Sequence, residues 1–364
     1  MRLIQNRYIA LDVFRGLTIA LMILVNTPGN WSFVYAPLRH AKWHGLTPTD
    51  LVFPFFLFII GTSMVFSFSK FDFCRTKDVY FKILKRTIII FLIGIAIHLF
   101  STIRRGADLD NFRIMGVLQR IALAYGIAAI LVLRFKIQHL WVICIGTLVG
   151  YWQLLSWTGG YELETNFART FDLAILGESH LWKGNGLPFD PEGLLSTFPS
   201  ITTIILGFFA GVMVHTASDQ NDNVKKMLIM GVTLTFVGWA WSFVMPINKQ
   251  LWTSSYVLTT AGIAFLILAL LVWIIDIQGY KKPFRAFEIF GTNSLFVFAA
   301  SGFWVNIMLW IKIDGKSLYS FMYSQLFVPI AGNMNGSLLF ALAHVASWWL
   351  ILYFMYSKKI FIKI

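Results

Sequence analysis

Charge is what this 364-residue chain has least of. Only 13% of its residues are Asp, Glu, Lys or Arg, about half the share that covers the surface of a soluble domain. A water-facing globule is thereby excluded. Cysteine is almost absent as well. Cys74 falls in a loop and Cys144 in an apolar run, on different elements, so neither a disulfide nor a metal site is expected. Walker-type lysine loops, HExxH and GxSxG are missing, which leaves the common soluble-enzyme chemistries without their signatures. No linker of altered composition and no sequence repeat divides the chain. A single membrane domain over residues 1–364 is expected.

What is present is apolar: 57% hydrophobic residues, 17% aromatic, and a mean hydropathy of +0.70. A hydrocarbon core of about 30 Å takes roughly 20 helical residues to cross. Ten runs meet that length, near 8–27, 50–69, 83–101, 114–133, 138–157, 197–216, 226–245, 254–276, 286–311 and 336–357. Backbone amides in lipid must be paired within the segment, so these runs are helices. The expected fold is all-α, a polytopic membrane protein with about ten transmembrane helices. Residues 316–332 are apolar but too short to cross, and read as a re-entrant or interfacial segment. The first run holds Asp12 and Arg15 and lacks a small-residue cleavage pattern, so it reads as a retained helix.

The net charge of +13 has a distribution that explains it without nucleic acid. The N-terminus, the loops near 70–86, 134–136, 225–226 and 281–285, and the tail from Lys358 hold 18 of the 30 Lys and Arg; the alternate loops hold 10. That asymmetry places both termini on the cytoplasmic side. The loop carrying His40 and His44 then faces the periplasm or exterior, and a bacterial plasma membrane is the expected location. The longest outer loop, 158–196, carries Glu162, Glu164, Asp172, Glu178, Asp190 and Glu192 against Arg169 and Lys183. It suits a cationic or amino-bearing ligand, or is simply a solvated loop.

Ionisable residues within spans cost about 2.5 kcal/mol or more at mid-depth and are functional candidates. Asp12 and Arg15 are three apart on one helical face, able to pair or, through Arg15, to meet an anion from the cytoplasm. Asn26 ends the first span before Thr27-Pro28-Gly29 stops it. His40, Trp43 and His44 crowd the next loop, and Asp50 opens the second span. Alone, Asp50 reads as a helix cap; with His40 ten residues before it, a His–Asp partnership that fixes the imidazole tautomer is reasonable. Gln119 and Arg120 lie toward the outer half of the fourth span, where a guanidinium can be structural or can hold a developing negative charge. Asn293, in Gly291-Thr292-Asn293-Ser294, marks a polar kink. Gly146-xxx-Gly150 and Gly207-xxx-Gly211 permit intramolecular packing, taken here as the first reading, or a homodimer. His98 and His344 read as packing or hydrogen-bonded residues rather than catalytic ones.

Several stretches together are distinctive. Leu11-Asp12-Val13-Phe14-Arg15-Gly16, Leu24-Val25-Asn26 and the block His40-Ala41-Lys42-Trp43-His44-Gly45-Leu46-Thr47-Pro48-Thr49-Asp50-Leu51-Val52-Phe53-Pro54-Phe55 resemble the heparan-α-glucosaminide N-acetyltransferase family. So do Arg113 to Arg120, Phe189 to Leu195 and Gly291 to Val297. The resemblance is to the catalytic membrane core. It implies transfer of the acetyl group of cytosolic acetyl-CoA to the amine of a glucosamine-type sugar or related glycan across the bilayer. It puts the family's active-site histidine at His40 and its helix-end asparagine at Asn26, while His44 stands where the family carries Asn. His40 would act as general base or transient acetyl carrier, Asp50 would orient it, and Asn26 and Arg120 would hold the thioester carbonyl. Gln119, Arg15, Asp12, Trp43, Asn293, Asp190 and Glu192 complete the candidate substrate- or acyl-CoA-binding residues. The competing reading is a secondary transporter with Asp12/Arg15 and His40/Asp50 as substrate or proton-relay groups; the missing repeat counts against it.

Overall fold

A computed structural model describes residues 8–216 and 219–362. Arg2, Arg7 and Lys363, part of the basic count, lie outside the described residues. Among the described residues the chain is helical apart from loops and one two-stranded hairpin, Lys312–Ile313 (β1) with Lys316–Ser317 (β2). The helices are α1 Ile9–Asn26, α2 Val52–Phe68, α3 Lys77–Arg104, α4 Val117–Arg134, α5 Ile137–Thr158, α6 Phe167–Leu176, α7 Thr197–Thr216, α8 Gln220–Trp241, α9 Ser254–Leu271, α10 Arg285–Thr292, α11 Ser294–Trp310, α12 Leu318–Met322 and α13 Val328–Ser357.

The pattern of burial is that of a protein whose solvent is lipid. Phe81, Leu84, Ile88 and Leu92 point outward along α3, and Ile229, Val232, Phe236 and Trp239 along α8. Thr62, Ser200, Thr202, Thr203, Ser254, Ser255 and Thr260 are buried between helices, where hydroxyls bond to carbonyls a turn back, as Thr62 does to Phe58 and across to Gly207. The polytopic all-α expectation holds.

The spans differ from expectation in number and continuity. Among the described residues eight helices, or nine if a bent pair counts as one span, are long and apolar enough to cross a membrane, rather than ten. The run at 226–245 corresponds to α8, whose first turns hold Asp222, Lys225 and Lys226 and so fall below that apolarity. The run at 286–311 is broken: α10 and α11 meet at 70° at Asn293, as its polar sequence suggested. Residues 316–332, expected as a re-entrant or interfacial segment, are helical from Leu318 to a break at Gly332, whose φ of 73° only glycine adopts without strain. They fold back so that the Tyr323 hydroxyl donates to the Asn333 carbonyl at 3.0 Å and Phe327 packs on Phe340.

Two ends can be told apart by what their loops touch. At one end the His40 loop meets residues 159–196 through Trp43 Nε1 and the Tyr161 carbonyl at 2.9 Å. It meets the 242–253 loop through the Gly45 amide and the Ile247 carbonyl at 2.8 Å. At the other end the amides of Ile9 and Ala10 donate to Asp276, each at 3.2 Å, and the Asn293 side chain both donates to the Ile360 carbonyl and accepts from the Ile362 amide.

Close helix contacts hold the centre. A Cβ at Gly207 would lie 1.9 Å from the Phe58 carbonyl, and one at Gly61 1.8 Å from the Ile204 carbonyl, so α2 and α7 touch backbone to backbone. Gly211 abuts Thr62 in the same seam. Gly146 and Gly150 are the exception to the packing expectation, for a Cβ at either would meet nothing within 4 Å: that stripe of α5 faces away from the bundle. Gly207→Ala is expected to destabilise by about 1–3 kcal/mol through overpacking, while Gly146→Ala leaves stability unchanged; melting temperatures in one detergent compare them.

Candidate active site

Asp50 is the fixed point of the candidate site. It lies in the 3₁₀ turn Pro48–Leu51 that leads into α2, and it is 1% exposed. Oδ2 accepts from the Ala41 amide (3.0 Å), the Thr47 amide (3.0 Å) and the Thr47 hydroxyl (2.9 Å). Oδ1 takes the His40 Nδ1–H at 2.7 Å. Helix capping and His–Asp partnership are thus performed by the same carboxylate. Because an ionised carboxylate only accepts, Nδ1 carries the proton and Nε2 presents its lone pair. The Tyr256 hydroxyl donates to the Asp50 carbonyl at 2.6 Å, tying this turn to α9.

One further group closes on the imidazole. The Lys249 Nζ stands 3.2 Å from both His40 ring nitrogens, against the imidazole rather than in line with the Nε2 lone pair. Sequence reasoning passed over Lys249. Its signal was a basic residue in the polar stretch Pro246-Ile247-Asn248-Lys249-Gln250 on the basic-poor side. Burial pushes its amine below the ordinary lysine range, while Glu192 and Asp50 oppose that shift.

A second polar centre is built on Arg113. Its guanidinium bonds Asp190 at 2.8 and 2.6 Å and Glu192 at 2.5 Å. Burial alone would lower the Arg113 guanidinium, but the two carboxylates raise it. Glu192 is held below its ordinary value: burial works the other way, and Arg113, Arg120 and Lys249 outweigh it. Asp190 and Glu192 are therefore taken up by a buried ion cluster rather than offered to a ligand. Arg120, wholly buried, donates to the Gly193 carbonyl and the Ser196 hydroxyl and lies 5.0 Å from the Trp252 ring. It fastens the 189–196 loop. Asp172, on α6, accepts from the Leu194 and Leu195 amides with Oδ1, while Oδ2 has no partner; burial pushes its carboxyl up to about 7.

Asn26, Gln119 and Arg113 come together elsewhere, lining a cavity of about 310 Å³ with Met22, Ile23, Thr27, Gly94, Ile97, His98, Phe298, Ser301 and Asn306. His98 donates Nδ1–H to the Arg113 carbonyl at 2.9 Å, one of the two roles expected of it. His40 and Asp50 are not among the lining residues; they sit in and beyond the loop that leaves Asn26. At the other end a cavity of about 470 Å³ is lined by Arg15, Ser63, Ser67, Lys70, Arg86, Ile90, Ile121, Tyr125, Asn293, Ser294 and Ile362. Arg15 donates to Asp12 (3.1 Å) and Ser63 (2.5 Å) there, and buried Arg86 Nε has no hydrogen-bond partner. Both cavities are walled by α1, α3, α4 and α11. Arg15 and Asn26, one in each, are about 16 Å apart along α1 at 1.5 Å per residue.

These features define a class: a polytopic α-helical membrane protein with a carboxylate-held histidine at one end and a basic cavity at the other. The comparisons are more specific. Residues 7–176 match the family model described as heparan-alpha-glucosaminide N-acetyltransferase, catalytic. The chain is 29% identical, over 99% of its length, to heparan-alpha-glucosaminide N-acetyltransferase of Mus musculus, and 29% identical over 98% to that of Homo sapiens. It spans 61% and 59% of those two proteins. The chain is thus similar to the heparan-α-glucosaminide N-acetyltransferases, in line with the resemblance read from its sequence.

Replacing Arg113 with Met leaves two buried carboxylates uncompensated and is expected to cost about 3–5 kcal/mol. Lys226→Met, which breaks an exposed pair with Asp222, is expected to cost under about 1 kcal/mol; chemical denaturation distinguishes the two. Asp172 titrates the other way. With its folded value raised from 3.8 to about 7, the folded state binds the proton more tightly, so stability falls as pH rises between those values. Asp172→Asn should therefore gain on wild type from pH 4 to 7 and hold a constant advantage above, read as melting temperature against pH.

Proposed function

We propose that the chain is a transmembrane acetyltransferase that takes the acetyl group of cytosolic acetyl-CoA and passes it to the amine of a glucosamine-type sugar or related glycan on the non-cytoplasmic side. The observation that supports this most is the pair of cavities stacked along α1, α3, α4 and α11. A CoA thioester is an anionic head on a long thin arm. Arg15, Lys70 and Arg86 suit its phosphates at one end, with an unpartnered buried guanidinium N–H available. The arm would follow the four helices toward Asn26. The basic side is taken as cytoplasmic on the charge asymmetry, which puts the His40 loop on the acceptor side of the plasma membrane.

In this reading His40 Nε2 removes the amine proton, or carries the acetyl group in two steps, and Asp50 keeps the ring in the tautomer that allows either. The Asn26 amide donates to the thioester carbonyl. Arg120, with Asp190, Glu192 and Arg113, fixes the acceptor-side loop against that end. The names of the similar proteins supply the acceptor class; the lipid bilayer is the protein's medium.

The test is CoA release and N-acetylglucosamine formation by the purified full-length chain from acetyl-CoA and glucosamine. His40→Ala should lower kcat by about 10²- to 10⁴-fold while acetyl-CoA binding persists. Turnover at the wild-type rate in that variant removes His40 from the chemistry, and failure of the wild type to bind acetyl-CoA returns the transporter reading.

A further inference from the structure

We propose that Lys249 is a second catalytic group of this site, its ammonium donating to the carbonyl oxygen that becomes negative during acyl transfer; the inference rests on the acetyltransferase reading above.

The placement of Lys249 is built, not incidental. Its neighbours on both sides grip the loop that carries His40. Asn248 Nδ2 lies 3.3 Å from His44 Nδ1, Gln250 Nε2 donates to the Lys42 carbonyl at 3.3 Å, and the Ile247 carbonyl accepts from Gly45. The loop is closed on itself by the Asn248 amide on the Thr253 hydroxyl (3.0 Å), the Leu251 amide on Asn248 Oδ1 (2.8 Å) and the Trp252 amide on the Lys249 carbonyl (3.1 Å). Trp252, fully buried, holds a left-handed backbone at φ 53° and packs edge-on against Phe53 and Tyr256. A non-glycine residue rarely adopts that conformation, and here it turns the chain so that Lys249 faces the imidazole.

The other cations nearby make contacts of their own, although wholly buried Arg120 keeps Nε and Nη1 without a partner. Arg113 is bound to two carboxylates, Arg120 lies beneath the Gly193–Ser196 turn, and Arg39 donates Nε to the Val34 carbonyl at 2.7 Å. Lys249, half-buried, stands against the imidazole, its Nζ equidistant from both ring nitrogens and clear of the Nε2 lone pair. When an amine takes up that lone pair, the lysine's flexible stem lets Nζ turn to the carbonyl oxygen beside it.

The step balances. The acceptor nitrogen bonds to the thioester carbon and its proton goes to Nε2, while the C=O pair moves to oxygen and meets the Lys249 ammonium. The C–S bond then breaks, the C=O bond re-forms, and the departing CoA thiolate takes the proton back from Nε2. Charge on the oxygen peaks between these events, so a fixed cation there favours the transition state over the bound substrate.

Lys249→Met and Lys249→Arg are compared with wild type and His40→Ala in the assay above. The expected result is a kcat about 100-fold lower in Lys249→Met with the KM for acetyl-CoA within about threefold, and substantial recovery in Lys249→Arg. The pH profile adds a readout that a purely structural lysine would not move. The groups facing Nζ are His40, Asp50, Glu192 and Arg120, and burial lowers the amine, so wild-type kcat should fall on the alkaline side as Nζ loses its proton. A guanidinium keeps its charge, so that limb should shift to higher pH in Lys249→Arg. If Lys249→Met is not recovered folded, the Lys249→Arg profile decides. A kcat within threefold of wild type in Lys249→Met, or an alkaline limb unmoved in Lys249→Arg, overturns the role of Lys249 alone. Absence of His40-dependent turnover in wild type overturns the acetyltransferase and this inference with it.

Discussion

A carboxylate that is 1% exposed at the mouth of an apolar helix must find a donor for each lone pair or be very costly to bury. Asp50 finds four, from His40, Ala41 and twice from Thr47. Those bonds close the segment between Ala41 and the helix into a ring that cannot open without stranding the charge. The loop's outer surface is then a rigid platform, against which the 159–196 and 242–253 segments pack. Tyr256 anchors the same turn from α9. A single buried anion thus organises four stretches of chain, and the imidazole it orients is the most exposed member of the assembly.

Much of this was legible in the residues. Runs of apolar length gave the helices, because lipid leaves the backbone no alternative. The polar break at Asn293 and the pairing of Asp12 with Arg15 were also visible, being local or set by helical spacing. His40 and Asp50 are ten apart, within the reach of one loop. What stayed hidden was non-local. Lys249 meets His40 across a separation of 209 residues, and Arg113 meets Asp190 across 77. No periodicity encodes either contact; both depend on how the loops at this end of the bundle fold over one another. The outward turn of Gly146 and Gly150 was hidden for the same reason, since a small-residue spacing shows that a helix can be approached closely but not by what.

The acidic loop illustrates how burial changes the meaning of composition. By count, residues 158–196 are an anionic surface. In the folded chain Asp190 and Glu192 face inward onto Arg113, and Asp172 is buried among backbone amides. The segment's charge is used to hold its own shape.

The basic cavity is walled by residues drawn from nearly the whole length of the chain, from Arg15 in α1 to Ile362 beyond α13, whose amide is clasped by Asn293. Such a chamber cannot be completed while the protein is still being threaded into the membrane. The first helices arrive with one wall, and the last is supplied only when synthesis has passed residue 362. A nascent or truncated chain would lack that wall, so the order of biosynthesis itself withholds a finished chamber from any intermediate that has not received its final helix.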